Sequence, residues 1–261
     1  MSFAGLLLLA TLLCAGLMAG CFAVARRLDN YGVVDVAWSA NFTPIAWMYA
    51  TLGGGYLPRR VLGASLVTLW SLRLALHLHL RLLAQHPVED GRYQHLRRDW
   101  AGRLGRRFFL FFQAQGLLNA LLSIPILLAC LDRRGPLDAW DLGGAVLFGV
   151  ALLGEAMADR QLARFKREPG NRGRVCAAGL WGLSRHPNYF FEWLVWVAYF
   201  VLALHAPRGW IAASAPLLML FLLFRITGIP ATEAQALRSR GDAYRDYQRR
   251  VSAFVPWRAT R

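Results

Sequence analysis

The chain has 261 residues, of which 56% are hydrophobic and 17% charged, with 30 basic against 15 acidic side chains and a formal net charge of +15. An ordinary soluble domain is about 45–50% apolar. Here the excess falls in long blocks rather than in amphipathic stripes, which excludes intrinsic disorder and argues against a soluble globular domain. What remains is an all-α, polytopic integral membrane protein whose basic surplus needs its own account.

Seven segments approach the roughly 20 apolar residues that a bilayer-spanning helix needs. The first, 3–25, holds Cys14 and Cys21. Met18-Ala19-Gly20-Cys21 faintly resembles a lipoprotein cleavage site, but Arg26 and Arg27 follow the apolar stretch instead of preceding it, so a retained first helix is expected. The second, 33–51, carries Asp35, which shares a helix face with Ser39 and Trp38. The third, 61–80, carries Arg73, His77 and His79. Ionisable groups inside spans line a polar path or pair with one another. Asp35 is thus either the partner of Arg73 in a structural ion pair or an acid lining a substrate cavity. The fourth segment is 108–131.

The fifth segment, 140–158, runs into Glu155, Asp159 and Lys166, spaced four and seven apart. On a continuing helix these three project from one face, which suits a polar cofactor or a solvated helix end. Before the sixth segment, 189–205, stands Ser184-Arg185-His186-Pro187-Asn188-Tyr189, followed by Glu192. Pro187 belongs in a first helical turn, so the helix is expected to start near His186 with free N–H groups beside Arg185. Asn188 and Glu192, four apart, place an amide and a carboxylate just inside the membrane. A helix N-terminus, an arginine and inward hydrogen-bonding groups suit a nucleotide with its phosphates outside and a polar ring deeper in. A well-capped helix with aromatic interfacial anchors is the plainer alternative. The seventh segment, 210–226, closes at Arg225 and is followed by Gly228, Pro230 and Glu233. Tyr244, Tyr247 and Val251 then form the stripe of a short amphipathic helix expected on the inner surface.

With the N-terminus outside and the C-terminus in the cytosol, the internal segments hold 24 of the 30 basic residues and the external ones five, Arg73 lying within a span. This follows the positive-inside rule and accounts for much of the charge without nucleic acid, for which no motif is present. There is no G-x-G-x-x-G, P-loop, H-E-x-x-H or G-x-S-x-G signal, and neither the scattered histidines nor the four cysteines suggest a metal site. No internal repeat or long linker interrupts the chain, so one membrane domain over 1–261 is expected. Its four N-terminal helices take up 1–131 and its C-terminal part 140–258.

The Ser184–Tyr189 stretch with Glu192, together with Asp159 upstream and Tyr244, Tyr247 and Phe254-Val255-Pro256 downstream, resembles the steroid 5α-reductase C-terminal domain superfamily, and within it an uncharacterised bacterial branch. The sterol C14-reductases belong to the same superfamily, and prenylcysteine carboxyl methyltransferases are similar through Arg-His-Pro-x-Tyr. The resemblance implies a multi-pass protein of the bacterial inner membrane that binds NADPH in its C-terminal helices and reduces a conjugated carbon–carbon double bond of a hydrophobic, steroid-like or other lipid substrate. It implies no specific protein partner. The methyltransferase side implies S-adenosylmethionine instead, and a non-catalytic lipid-binding protein is the third alternative. Carried onto this chain, the cofactor-binding set is Glu155, Asp159, Lys166, Arg174, Arg185, His186, Asn188, Tyr189, Glu192, Arg225, Glu233, Tyr244 and Tyr247. The steroid enzymes have a histidine and a tyrosine where Ile229 and Glu233 stand, and Glu233 is what the methyltransferases favour. They also hold the substrate's oxo group with a glutamate on span two and a tyrosine on span three, where Leu78 stands, with Arg81 as a basic neighbour. Steroid reduction itself is therefore not implied, and Asp35, His77, His79 and Tyr31 are the candidates to polarise a carbonyl.

Overall fold

A computed structural model describes residues 1–226 and 228–257. Arg258 and Arg261, counted above with the internal charge, and the boundary at 258 lie outside the described residues. Among those described, all regular structure is helical apart from a bridge pairing Ser184 with Ser252. The chain forms two compact units, Met1–Asp141 with Leu202–Ala212, and Leu142–Val201 with Ala213–Arg261.

In the first unit, α1 (Phe3–Arg27) packs along α6 (Leu104–Leu122), and α2 (Val33–Ala40) and α3 (Phe42–Leu52) pack against α4 (Leu57–Gln85). The segment expected as one span over 33–51 is broken at Asn41. Pro44 has no N–H to offer the carbonyl of Ala40, so the helix is interrupted one turn before it. Ser71 of α4 takes over, its hydroxyl donating to the Ser39 carbonyl at 2.7 Å and to that of Ala40 at 3.4 Å. The Asn41 amide meets Asn119 of α6 at 3.2 Å, and Asn119 donates to the Trp38 carbonyl at 3.0 Å. Pro125 has the same effect between α6 and α7 (Ile124–Leu131), where the helix is interrupted at Ser123.

Between α4 and α6 lies α5 (Gly91–Asp99), capped by the Asp90 side chain. It docks on an aromatic core in which Tyr31 stacks on Phe108 at 3.7 Å while the Arg97 guanidinium lies 4.7 Å from the other side of the same ring system. At the opposite end of α4, Arg59 is 2% exposed and forms a two-pronged pair with Asp141 at 2.7 Å, a bridge to Asp132 at 3.2 Å and a bond to the Arg134 carbonyl.

The second unit is built on α8 (Ala139–Arg167) and α9 (Pro187–Ala203), with α10 (Ser214–Phe221), a π-helical turn (Leu222–Ile226), α11 (Ile229–Arg240) and α12 (Asp242–Arg250). Helix α8 does not stop at 158. The residues that follow are good helix formers as far as Glu168-Pro169, so the apolar span continues as a polar helix carrying Asp159 and Lys166. The two long helices meet closely at Gly154, where a β-carbon would fall inside the ring of Phe191.

Among the described residues, five helical runs are long and apolar enough to cross a membrane: Phe3–Arg27, Leu57–Gln85, Ala101–Leu131, Ala139–Arg167 and Gly209–Arg240. The chain is thus a multi-pass, all-helical protein suited to a lipid bilayer. Of the other two expected spans, one is split at Asn41, and α9 has 17 residues, about 26 Å at 1.5 Å per residue.

Candidate functional site

Two polar sets stand out in an otherwise apolar molecule, one in each unit. In the second unit α9 begins at Pro187, as its missing N–H requires, which puts Asn188 and Glu192 in the first turn and a half. Both are half-buried, and the Glu192 carboxylate accepts from Trp196 Nε1 at 3.3 Å. On α8, Glu155 is 3% exposed, Asp159 half-buried and Lys166 exposed, so the predicted face runs from the interior to the surface. Tyr199, buried about two turns beyond Glu192, is under the electrostatic influence of both Glu155 and Glu192. Glu155, Glu192 and this phenol therefore share one neighbourhood.

Loop 176–186 is tied to the C-terminal half of α8. Trp181 Nε1 donates to the Ala158 carbonyl at 2.9 Å, and the Leu180 N–H to Gln161 Oε1 at 2.9 Å. Lys166 lies within electrostatic reach of Cys176 in the same loop. Arg174 is exposed, its carbonyl held by Arg240 Nε at 2.9 Å, and Arg225 is exposed in the π-helical turn.

Arg185 sits in a network. Its Nε donates to Glu233 Oε1 at 2.7 Å and its Nη1 to the carbonyls of Gln248 and Val251 at 2.9 and 2.7 Å. His186 Nε2 lies 3.2 Å from Glu233 Oε1, and Gln248 Nε2 donates to Oε2 at 2.8 Å. The same carboxylate stands beside Tyr244, whose phenol burial and Glu233 together push up to about 12. Tyr247 donates to the carbonyls of Trp181 and Ser184, and Tyr189 stacks on His186 at 5.4 Å and meets Thr232 at 3.1 Å. Ser184 Oγ donates to the Phe254 carbonyl at 2.8 Å, and the Arg185 and Trp257 amides bond the carbonyls of Ser252 and Leu183. The chain end therefore straps the start of α9, and Arg185, His186, Glu233, Tyr244 and Tyr247 are the ties. Gln248, which the sequence reading did not single out, completes them.

In the first unit a small open cleft is lined by Asn30, Gly32, Asp35, Leu78, Arg81, Leu82, Gln85, Val88 and Asp90. Its polar end is an ionic quartet. Asp35 Oδ2 meets Arg92 at 2.8 Å and Arg81 at 3.8 Å, and its Oδ1 accepts from the Tyr93 hydroxyl at 2.6 Å. Asp90 pairs with Arg92 at 3.1 Å and with Arg81 at 3.4 Å. Burial alone would raise the Asp90 carboxyl, but the Arg92 charge and hydrogen bonds outweigh it and hold the group below its usual range. Burial pushes the Tyr93 phenol well up, and the Asp35 charge adds to this.

The counter-charges at Asp35 thus come from Arg92 and Arg81, and the residue faces a cleft as well as an ion pair. His77 and His79, on the same helix as Leu78, are not among the lining residues. Tyr31 belongs to the aromatic core and its N–H is held by Glu89. Arg92, Tyr93 and Asp90 were missed because they fall on and just before the short polar helix α5, whose sequence has no apolar periodicity to set a site apart from a solvated surface. Among the described residues no group of three or more His, Cys, Asp or Glu is arranged to hold a metal ion.

Residues 21–251 match the family described as Protein of unknown function (DUF1295), and the chain belongs to that family, which lies in the steroid 5α-reductase-like group. An uncharacterized protein of Schizosaccharomyces pombe is 27% identical to it over 268 aligned positions that cover 90% of this chain and 75% of the relative. No solved structure matches.

Proposed function

We propose that this protein is a membrane-embedded, NADPH-dependent reductase of a conjugated carbon–carbon double bond in a hydrophobic substrate. Seven helical segments cross the bilayer in this reading, with the N-terminus outside, the C-terminus cytosolic, and the bilayer that of the bacterial inner membrane. The observation that carries the reading is the polar set on α8 and α9. Two apolar helices in close contact at Gly154 and Phe191 hold a buried Glu155 and half-buried Asp159, Asn188 and Glu192, while the exposed cations Lys166, Arg174 and Arg225 belong to the same unit.

That donor set fits NADPH. Uncharged and acidic hydrogen-bonding groups at depth suit an amide-bearing ring, and exposed cations suit phosphates. In this assignment Asn188, Glu192 and Glu155 hold the ring, Asp159 orients it, and Lys166, Arg174 and Arg225 take the phosphates. The cofactor, when bound, supplies hydride and leaves as NADP⁺. In a conjugated carbonyl substrate that hydride would go to the β-carbon, negative charge would develop on the carbonyl oxygen, and a proton from water would complete the α-carbon. The chain must therefore offer a donor at that oxygen as charge develops there. The Asp35 quartet, with Tyr93 hydrogen-bonded to it, is the cluster we assign to this task, ahead of His77 and His79.

A methyltransferase reading rests on Arg185, His186 and Glu233. Both oxygens of Glu233 already accept from protein donors, which suits a strut better than a ligand-binding acid and places the reductase first. The test is a thermal-shift comparison of detergent-purified protein with NADPH, NADH and S-adenosylmethionine. NADPH should raise the unfolding midpoint most, and Asp159→Ala or Asn188→Ala should remove the shift. A shift with S-adenosylmethionine alone would establish the second reading, and no shift with any of them would leave neither standing.

A further inference from the structure

The paired helices α1 and α6 carry cations that the fold does not use. The two run antiparallel, since Gln113 of α6 donates to the Ala15 carbonyl at 3.4 Å and Phe22 meets Phe109 at 5.4 Å between ring centroids. The last turn of α1 therefore lies beside the first turn of α6. Arg26, four residues beyond Phe22 and eleven beyond Ala15, shares their face, and its guanidinium lies 5.9 Å from the Phe22 ring centroid. Arg106, seven before Gln113, shares the face of that residue. Arg26 and Arg106 thus flank one end of the same groove. Both are exposed, as are Arg27, Arg103 and Arg107, and among the described residues none of the five is hydrogen-bonded or ion-paired to a protein acceptor. The acids nearest to them in sequence are committed elsewhere, Asp29 to Arg97 at 2.8 Å and Asp99 to His95 at 3.6 Å. Farther along the groove, the register set by Ala15 and Gln113 brings Leu12 opposite Leu117, and these are 59% and 51% exposed, an apolar floor that no protein side chain covers.

We infer that this groove holds one anionic phospholipid, its phosphate between Arg26 and Arg106 and an acyl chain on Leu12 and Leu117. Guanidiniums present a planar fork that matches phosphate oxygens, and these two have no protein acceptor to give up. The dimensions agree. Arg26 and Leu12 are fourteen residues apart, about 21 Å at 1.5 Å per residue. Half of a bilayer with its headgroups is about 20–22 Å, so one lipid reaches from the arginines to the leucines. The headgroup must lack an amine, because a second cation would sit among five guanidiniums with no free carboxylate to meet it. Positive-inside bias asks only that arginines lie on one side. Their convergence at the mouth of an uncovered apolar groove is the additional feature, and it stands apart from the reductase reading.

The experiment titrates the full chain in detergent with phosphatidylglycerol or with phosphatidylcholine of the same acyl chains, and counts bound lipid by native mass spectrometry. Phosphatidylglycerol should bind saturably and about tenfold or more tighter than phosphatidylcholine. Inorganic phosphate at the lipid's concentration should not displace it, because a free phosphate cannot use the apolar floor. Arg26→Gln combined with Arg106→Gln should weaken phosphatidylglycerol binding roughly thirtyfold, the effect of two cations at an anionic headgroup. It should leave the unfolding midpoint in lipid-free detergent unchanged, since neither side chain is bonded to the protein. Arg245→Gln combined with Arg249→Gln removes the same charge from α12 and should bind the lipid like the parent. Equal affinity for the two lipids, displacement by inorganic phosphate, parent-like affinity in the Arg26 and Arg106 variant, or an equal loss in the α12 variant would each overturn the inference.

Discussion

Glu233 receives donors on both carboxylate oxygens, so Glu233→Gln perturbs the strap with almost no change in volume. Oε1 accepts from Arg185 at 2.7 Å and lies 3.2 Å from His186, while Oε2 accepts from Gln248 at 2.8 Å. The amide keeps one accepting oxygen and turns the other into a donor. It therefore sacrifices one hydrogen bond and removes the charge from the pair with Arg185. A hydrogen bond to a charged group contributes about 1.5–3 kcal/mol. Both partners retain some exposure, 12% for Arg185 and 16% for Glu233, so we take a loss of about 2 kcal/mol, equivalent to roughly thirtyfold in an opening equilibrium. Native-state hydrogen exchange reads this locally. The Arg185 and Trp257 amides, bonded to the carbonyls of Ser252 and Leu183, should exchange roughly thirtyfold faster. The centre of α9 around Val195 should not change. Arg185→Met should cost more, about 3–5 kcal/mol, because it leaves a largely buried carboxylate unpaired. The double variant should cost less than the sum of the two. An unchanged Arg185 amide in Glu233→Gln, or a rise spread equally over α9, would refute the strap as a local, charge-held element.

Three further outcomes follow from the packing. Arg59→Met should destabilise the first unit by about 3–5 kcal/mol in denaturant titration, because Asp141 would be left buried and uncompensated while Asp132 keeps Arg134 at 2.9 Å, and adding Asp141→Asn should recover part of the loss. Gly154→Ala should lower the unfolding midpoint, at an overpacking cost of about 1–3 kcal/mol, and Phe191→Ala in the same chain should relieve it. The depressed Asp90 carboxyl implies stability that is present above its unfolded pKa of about 3.9 and is lost as pH falls through the lower folded value. Acid titration of helicity below about pH 4 should therefore be less steep in Asp90→Asn than in the parent.

The long apolar elements were legible because length and hydropathy are local properties. The first helix was expected over 3–25 and spans Phe3–Arg27, and the helix expected to start near His186 starts at Pro187. The interruptions at Asn41 and Ser123 were not read, although Pro44 and Pro125 mark them: an apolar average does not register one missing N–H. The fifth segment was bounded at 158 as an apolar span, and the continuing helix expected to carry Asp159 and Lys166 runs on to Arg167, because charge stops a span and not a helix.

The site divided along the same line. Glu155, Asn188 and Glu192 were visible as polar residues inside apolar blocks, where desolvation makes any such group conspicuous. Arg92 and Tyr93 were not, since a polar residue in a polar segment carries no such mark and Tyr93 lies 58 positions from the Asp35 it bonds. The same distinction bears on how the basic surplus should be divided. Positive-inside bias needs only that arginines be on one side, and it makes no demand on what each one touches. Arg185, which bonds a carboxylate and two carbonyls, and Arg92, which joins two aspartates, are spent on structure. Arg81 belongs to the same count by sequence and reaches the same two aspartates, but at the longer distances of 3.8 and 3.4 Å.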